Sequence, residues 1–166
     1  MITLRPAKDK DKSILSDTCI SVAPLYEAFM PHAFKNQAER FMERGLSSSY
    51  DTFIIENDKR AIGFVGTKVL SEQTLYLVAC YIHSDFQNKG LGSLVIECIK
   101  SSIKELHIKE IILLVHKKAV WAQQFYLKNG FMVVSDERDQ IISYDNGIME
   151  NDYLDDTVLM SHKFID

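Results

Sequence analysis

The chain has 166 residues, 19 Lys+Arg against 23 Asp+Glu, 46% hydrophobic and 25% charged residues, and a net charge of −4. A single domain of this size builds its own core without disulfides or a structural metal, and a net negative chain lacks the cationic surplus that nucleic acid binding needs. The charge is unevenly spread: residues 136–156 hold eight carboxylates (Asp136, Glu137, Asp139, Asp145, Glu150, Asp152, Asp155, Asp156) and one base, Arg138, so that stretch carries −7 and the rest sums to +3. Such a run is a solvated hairpin or loop, or a surface that attracts a cationic ligand.

Residues 2–5 alternate apolar and polar positions before Pro6 and predict a short first strand. Asp9 or Asp11 caps a helix running toward Val22, and Pro24 and Pro31 break the chain around Tyr26 and Phe29. A second helix is expected over 36–44, with Gly45 at its end. Strands follow over 52–56, 61–69 and 74–82, the first two joined by a tight turn at Asn57-Asp58-Lys59. Leu91, Val95, Ile99, Ile103 and Leu106 recur at helical spacing, so 91–106 is an amphipathic helix. Residues 111–115 form a continuous apolar run of the buried-strand kind. A short helix carries the pairs Trp121/Phe125 and Ala122/Tyr126, Asn129-Gly130 stops it, and strands at 131 onward and 157–164 close the chain. The order is βααβββαβαββ, a mixed α/β class, read as one domain over 1–166.

No apolar run approaches the ~20 residues of a membrane span. The first residues lack the basic-then-apolar order of a signal peptide, so a cytoplasmic protein without membrane association is expected. Cys19, Cys80 and Cys98 include no C-x-x-C pair and read as reduced thiols. No metal is expected: Cys80 and His83 are three apart on a strand and point to opposite faces.

The stretch after the 74–82 strand carries the chemistry. Gln87-Asn88-Lys89-Gly90-Leu91-Gly92-Ser93 joins a strand to a helix. Its two glycines allow close approach of backbone to a bulky anion, and the unpaired N–H groups of the first helical turn face that anion with the positive end of the helix dipole. Amides from Asn88 to Ser93, with Lys89 nearby, suit a pyrophosphate. A P-loop would need Lys after its second glycine, and a dinucleotide fold would need Gly where Val95 stands.

Gln87-x-x-Gly90-x-Gly92 resembles the Gln/Arg-x-x-Gly-x-Gly/Ala motif of the GNAT superfamily of acyl-CoA-dependent N-acyltransferases. Leu113-Leu114-Val115, Ala122 and Phe125-Tyr126-Leu127-Lys128-Asn129-Gly130-Phe131 resemble that family's fifth strand and following helix. The resemblance implies a single-domain α/β fold with a mixed, mostly antiparallel sheet of about seven strands, splayed fourth and fifth strands and about four helices. It implies acetyl-CoA as cosubstrate, with pantetheine against the backbone of Cys80, Tyr81 and Ile82 and pyrophosphate held by Gln87, Asn88, Lys89, Gly90, Leu91, Gly92 and Ser93. Tyr126 matches the family tyrosine that protonates the departing sulfur. That role is chemically sound, because a phenol (pKa about 10) is protonated at neutral pH and can donate to a thiolate.

Two departures stand out. The fourth strand offers Tyr76, Val78 and Cys80 but no carboxylate to accept the amine proton, and Ala119 stands where an Asn commonly helps hold CoA. His83 and His116 are alternative bases. Tyr26, Phe29 and Phe34, with Tyr144 near the acidic stretch, are expected to line the acceptor site. The resulting expectation is transfer of acetyl to a small amine, a polyamine or a protein amino group, with a homodimer as candidate assembly. A non-catalytic acyl-CoA-binding sensor is the rival.

Overall fold

The computed structural model describes residues 1–165, which form two compact units, Met1–Lys68 with Val78–Ile103, and Val69–Leu77 with 104–165. Seven strands follow the order β1-β2-β3-β4-β5-β7-β6: β1 Ile2–Pro6, β2 Asp51–Asn57, β3 Arg60–Ser71, β4 Thr74–Ile82, β5 Glu110–His116, β6 Met132–Ser135 and β7 Thr157–Lys163. The helices are α1 Lys12–Tyr26, α2 Ala33–Arg44, α3 Leu91–Lys104, α4 Val120–Lys128 and α5 Arg138–Gly147.

In the first unit β1, β2 and β3 are antiparallel, and Asn57 pairs with Arg60 across a two-residue turn. Asp58 (φ 49°) and Lys59 (φ 71°) are both left-handed, the geometry whose twist matches that of a hairpin. Leu15, Cys19, Val22 and Ala23 of α1 and Phe34, Ala38 and Phe41 of α2 pack on Ile54, Phe64 and Ala79 of the strands. Asp11 precedes α1, but it does not cap it. Its carboxylate turns back to accept both Arg5 guanidinium nitrogens at 2.8 and 2.9 Å, and that pairing lowers its pKa to about 2.

Pro24 does not end α1, as its sequence suggests, but sits inside the last turn. The N–H that proline lacks would bond only the Ile20 carbonyl, and Pro24 and Ile20 are both exposed, so water can take that acceptor. Gly45 (φ 74°) does close α2, donating its N–H to Phe41 O at 2.9 Å.

Gly63 on β3 lies where the end of β4 comes closest. A Cβ there would stand 2.1 Å from Tyr81 O and 2.9 Å from the Ile82 Cα, both backbone atoms that cannot swing aside. Gly63→Ala is expected to destabilise the protein by about 1–3 kcal/mol, seen as a lower urea midpoint, and to displace the 81–82 backbone. An unchanged midpoint would mean that the two strands are not locked together here.

The second unit is built on β5, whose residues are buried almost without interruption as a strand covered on both faces requires. β5 pairs with β4 in parallel through Thr74↔Glu110, Leu75↔Ile111 and Tyr76↔Ile112, all at the start of both strands. Its whole length is antiparallel to β7, from Glu110↔Lys163 to His116↔Thr157, and β7 also pairs with β6.

The acidic stretch is where the expected hairpin gives way to a helix. α5 runs through it, buries Ile141 and is followed by buried Met149, while its carboxylates face solvent except for half-buried Asp152. Ser135 Oγ accepts the Glu137 N–H at 3.0 Å and bonds Gln140 Oε1 at 2.7 Å, which fixes the helix entry. The helix kinks at Tyr144, Asp145 and Asn146, whose φ/ψ angles are non-helical.

Candidate active site

The turn after β4 has the geometry of an anion cradle. A short 3-10 turn, Ser84–Phe86, is followed by Asn88 (φ 61°) and Gly90 (φ 76°), and α3 begins at Leu91. Left-handed residues alternating with others turn successive N–H groups toward one side, and the amides of the first turn of α3 have no acceptor within the helix. A Cβ built on Gly90 meets nothing within 4 Å, so the space in front of it is open. Asn88, Lys89 and Gly90 are exposed, whereas Leu91, Gly92 and Ser93 are half-buried. Open space at a helix N-terminus, where first-turn amides have no acceptor within the helix, could take an anion such as a pyrophosphate.

Gln87 has a supporting part. Its Nε2 donates to Ile82 O at 2.8 Å, bracing the turn against the last residue of β4. The strand end itself, Cys80, Tyr81 and Ile82, is half-buried, and burial pushes the Cys80 thiol up to about 12, so it stays a neutral packing group.

Three of the four residues expected on the acceptor side meet in this same unit. The Tyr26 and Phe34 rings lie 4.5 Å apart, Tyr26 and Phe29 5.8 Å, and Phe34 stands edge-on to Tyr81 at 5.1 Å. Phe34 is buried in the α1–α2 core, while Tyr26 and Phe29 are half-buried. Burial raises the Tyr26 phenol to about 12, with Cys80 adding to the effect, so its hydroxyl is neutral at physiological pH.

The fourth, Tyr144, belongs to the other unit. It donates its hydroxyl to Glu110 at the start of β5, and Ser161 Oγ bonds the same Oε2 at 2.5 Å. Burial raises the Tyr144 pKa to about 12, and the Glu110 carboxylate adds to it. Glu110 was not singled out in the sequence, where it merely flanks the 111–115 run. A carboxylate within a strand buried on both faces is the signal that points to it, because such a group is kept only with partners.

Tyr126 is half-buried on α4 and is held by the way that helix ends. Phe131 N–H donates to Tyr126 O at 3.0 Å and Gly130 N–H to Leu127 O at 3.2 Å, with Gly130 left-handed (φ 90°). These are the two bonds of a Schellman stop, and its usual apolar clasp is the Tyr126–Phe131 ring pair at 5.4 Å. The Phe-Tyr-x-Lys-x-Gly-Phe sequence is thus a device that stops a helix and orients a tyrosine. Ala119, fully buried, is the α4 N-cap residue and supplies no side-chain cap.

The two histidines serve their turns. His83 Nδ1 accepts the Asp85 N–H and His116 Nδ1 accepts the Lys118 N–H, each at 3.1 Å. Both rings are thereby held by the backbone of their own turns. No helix among the described residues is long and apolar enough to cross a membrane.

Residues 20–131 match the model of the acetyltransferase (GNAT) family. An amino-acid acetyltransferase of Buchnera aphidicola (subsp. Acyrthosiphon pisum) is 26% identical over 118 residues, which is 70% of this chain and 26% of that protein. The chain therefore spans about a quarter of the length of the curated relatives it matches. Among solved structures, an N-acetyltransferase of Thermoplasma acidophilum in complex with coenzyme A is similar over 99% of both chains, with a TM-score of 0.68 and 18% identity. A spermidine N-acetyltransferase chimera from Vibrio cholerae is similar over 98% of this chain and 95% of its own, with a TM-score of 0.66 and 18% identity. With the family model covering most of its length and the fold shared end to end, this chain belongs to the GNAT acetyltransferase family.

Proposed function

We propose that the protein transfers an acetyl group from acetyl-CoA to a primary amine, a polyamine or small amine in preference to others, by direct attack in a ternary complex. The observation that carries this reading is the open turn before α3, with Asn88 and Gly90 left-handed and nothing within 4 Å in front of Gly90. It would hold the pyrophosphate, the backbone of Cys80, Tyr81 and Ile82 would meet the pantetheine amides, and Tyr126 would act on the sulfur.

The reaction balances with these groups and solvent water. A neutral amine nitrogen attacks the thioester carbonyl carbon, forming the C–N bond and an oxyanion that a backbone N–H can stabilise. The C–S bond then breaks, the sulfur takes the Tyr126 hydroxyl proton, the amine gives up its extra proton to water, and solvent restores the tyrosine. β4 supplies no carboxylate for the amine proton, so a water relay is the simplest route.

Two features support a cationic acceptor. Tyr26 and Phe29 are half-buried aromatic side chains of the type that attracts an ammonium group, and the exposed carboxylates of 136–156 would raise the local concentration of polycations. A spermidine acetyltransferase is among the structural neighbours, although at 18% identity that likeness speaks to fold. The expected result is a higher kcat/KM for spermidine than for a neutral arylamine, falling as salt is raised. Equal values for both, or a kcat/KM for spermidine unmoved by salt, would count against the polyamine preference.

The missing carboxylate on β4 also favours a second reading, an acyl-CoA-binding sensor without transfer activity. It differs in one outcome: CoA would bind, and no acceptor would be acetylated.

A further inference from the structure

Beside the cradle, two cations share one aromatic ring. The Arg60 guanidinium carbon lies 4.7 Å from the centroid of Phe86 and the Lys89 ammonium 5.8 Å from the same centroid. Phe86 closes the 3-10 turn that leads into the cradle, and Lys89 lies within the cradle itself. Arg60 arrives from a different element. It opens β3, and because His83 N–H bonds Ile62 O at 2.8 Å, it stands two residues beyond the last strand contact, level with the turn.

Among the described residues, no carboxylate forms an ion pair with Arg60 or Lys89; the nearby Asp85 lies by His83 Nδ1 at 3.7 Å, and Asp58 is taken by the Met1 ammonium at 2.5 Å. Arg60 and Lys89 are exposed, and Phe86 is half-buried. A guanidinium laid on a ring is pre-organised, with its N–H edge left to bond an anion, and Arg suits the forked geometry of a phosphate. The cradle accounts for the pyrophosphate of CoA, and CoA carries one further anion, the phosphate on the 3′ position of its ribose.

We propose that Arg60, held over the Phe86 ring beside Lys89, binds the 3′-phosphate of CoA and makes the protein distinguish CoA from 3′-dephospho-CoA. This rests on the acetyl-CoA reading above and adds a specificity residue that neither motif contains. Arg60 is not part of the chemistry, and its removal should alter nucleotide affinity.

The test is calorimetric titration of the wild-type protein and Arg60→Gln with CoA and with 3′-dephospho-CoA. Wild type should bind CoA about tenfold more tightly than the dephospho form, as expected for one charge-assisted contact to a phosphate. Arg60→Gln should lose that ratio by weakening CoA alone, and its unchanged affinity for 3′-dephospho-CoA shows that the fold and the cradle are intact. A wild type that binds both nucleotides equally, or an Arg60→Gln variant that keeps the full ratio, overturns the assignment of Arg60 and leaves the cradle standing. A wild type that binds neither nucleotide overturns the acetyl-CoA reading itself.

Discussion

Gly90→Val is expected to abolish acetyl-CoA binding. In the wild type, acetyl-CoA at a hundred times its Kd stabilises the fold by about 2.7 kcal/mol, which raises Tm by about 5–10 °C in a chain of this size. Valine removes that shift for a spatial reason. The Cβ position at Gly90 meets nothing within 4 Å, so a branched side chain would fill the open space in which the pyrophosphate is proposed to sit. The backbone there has φ 76°, so valine also costs about 1–2 kcal/mol in the free protein. The two effects separate in one experiment: strain lowers the Tm of the free protein, and blockage removes the increment on adding acetyl-CoA. A variant that keeps the full increment would mean that the ligand does not sit in front of Gly90.

Tyr126→Phe is expected to reduce kcat by about a hundredfold, within the range that general acids contribute, with the Kd for acetyl-CoA unchanged. Phenylalanine keeps the ring that packs on Phe125 and Phe131 and leaves the backbone bonds of the helix stop in place, so only the hydroxyl is lost. A group acting in the transition state lowers kcat and kcat/KM together, and stopped-turnover measurement with saturating acetyl-CoA reads this directly. An undiminished rate would remove Tyr126 as the acid. A raised KM at constant kcat would make it a binding residue.

Much of this site is legible in the sequence because its parts are local. The Gly-x-Gly turn needs left-handed residues at set positions, and the strand before it and the helix after it have unmistakable periods, so the bounds of β4 and the start of α3 follow from 74–93 alone. Tyr126 is equally local, since the stop that orients it is written in Asn129, Gly130 and Phe131.

What escaped the sequence depends on partners far away in the chain. α5 was obscured because its apolar content is little more than the adjacent pair Ile141-Ile142, which gives no helical stripe, while the carboxylates around it resemble a loop. Glu110 is buried only because Tyr144 and Ser161, 34 and 51 residues away, give it two hydroxyls. Pro24 stays helical because the carbonyl it leaves open faces solvent, a fact of burial rather than of propensity. The Arg60–Phe86–Lys89 arrangement likewise arises from the β3–β4 register, which brings the start of one hairpin strand to the turn after another.

The central claim is that this chain moves acetyl from CoA to an amine. Release of free CoA thiol from acetyl-CoA, followed alongside the mass of the acceptor, tests it most directly across spermidine, simple amines, amino acids and peptides bearing a free amino group. The account predicts thiol release dependent on acceptor, equimolar with a product 42 mass units heavier (about the mass of an acetyl group replacing a hydrogen) and abolished by Gly90→Val. Stabilisation by acetyl-CoA with no thiol released above the acceptor-free rate for any of these amines would contradict it and establish the chain as a sensor of acyl-CoA.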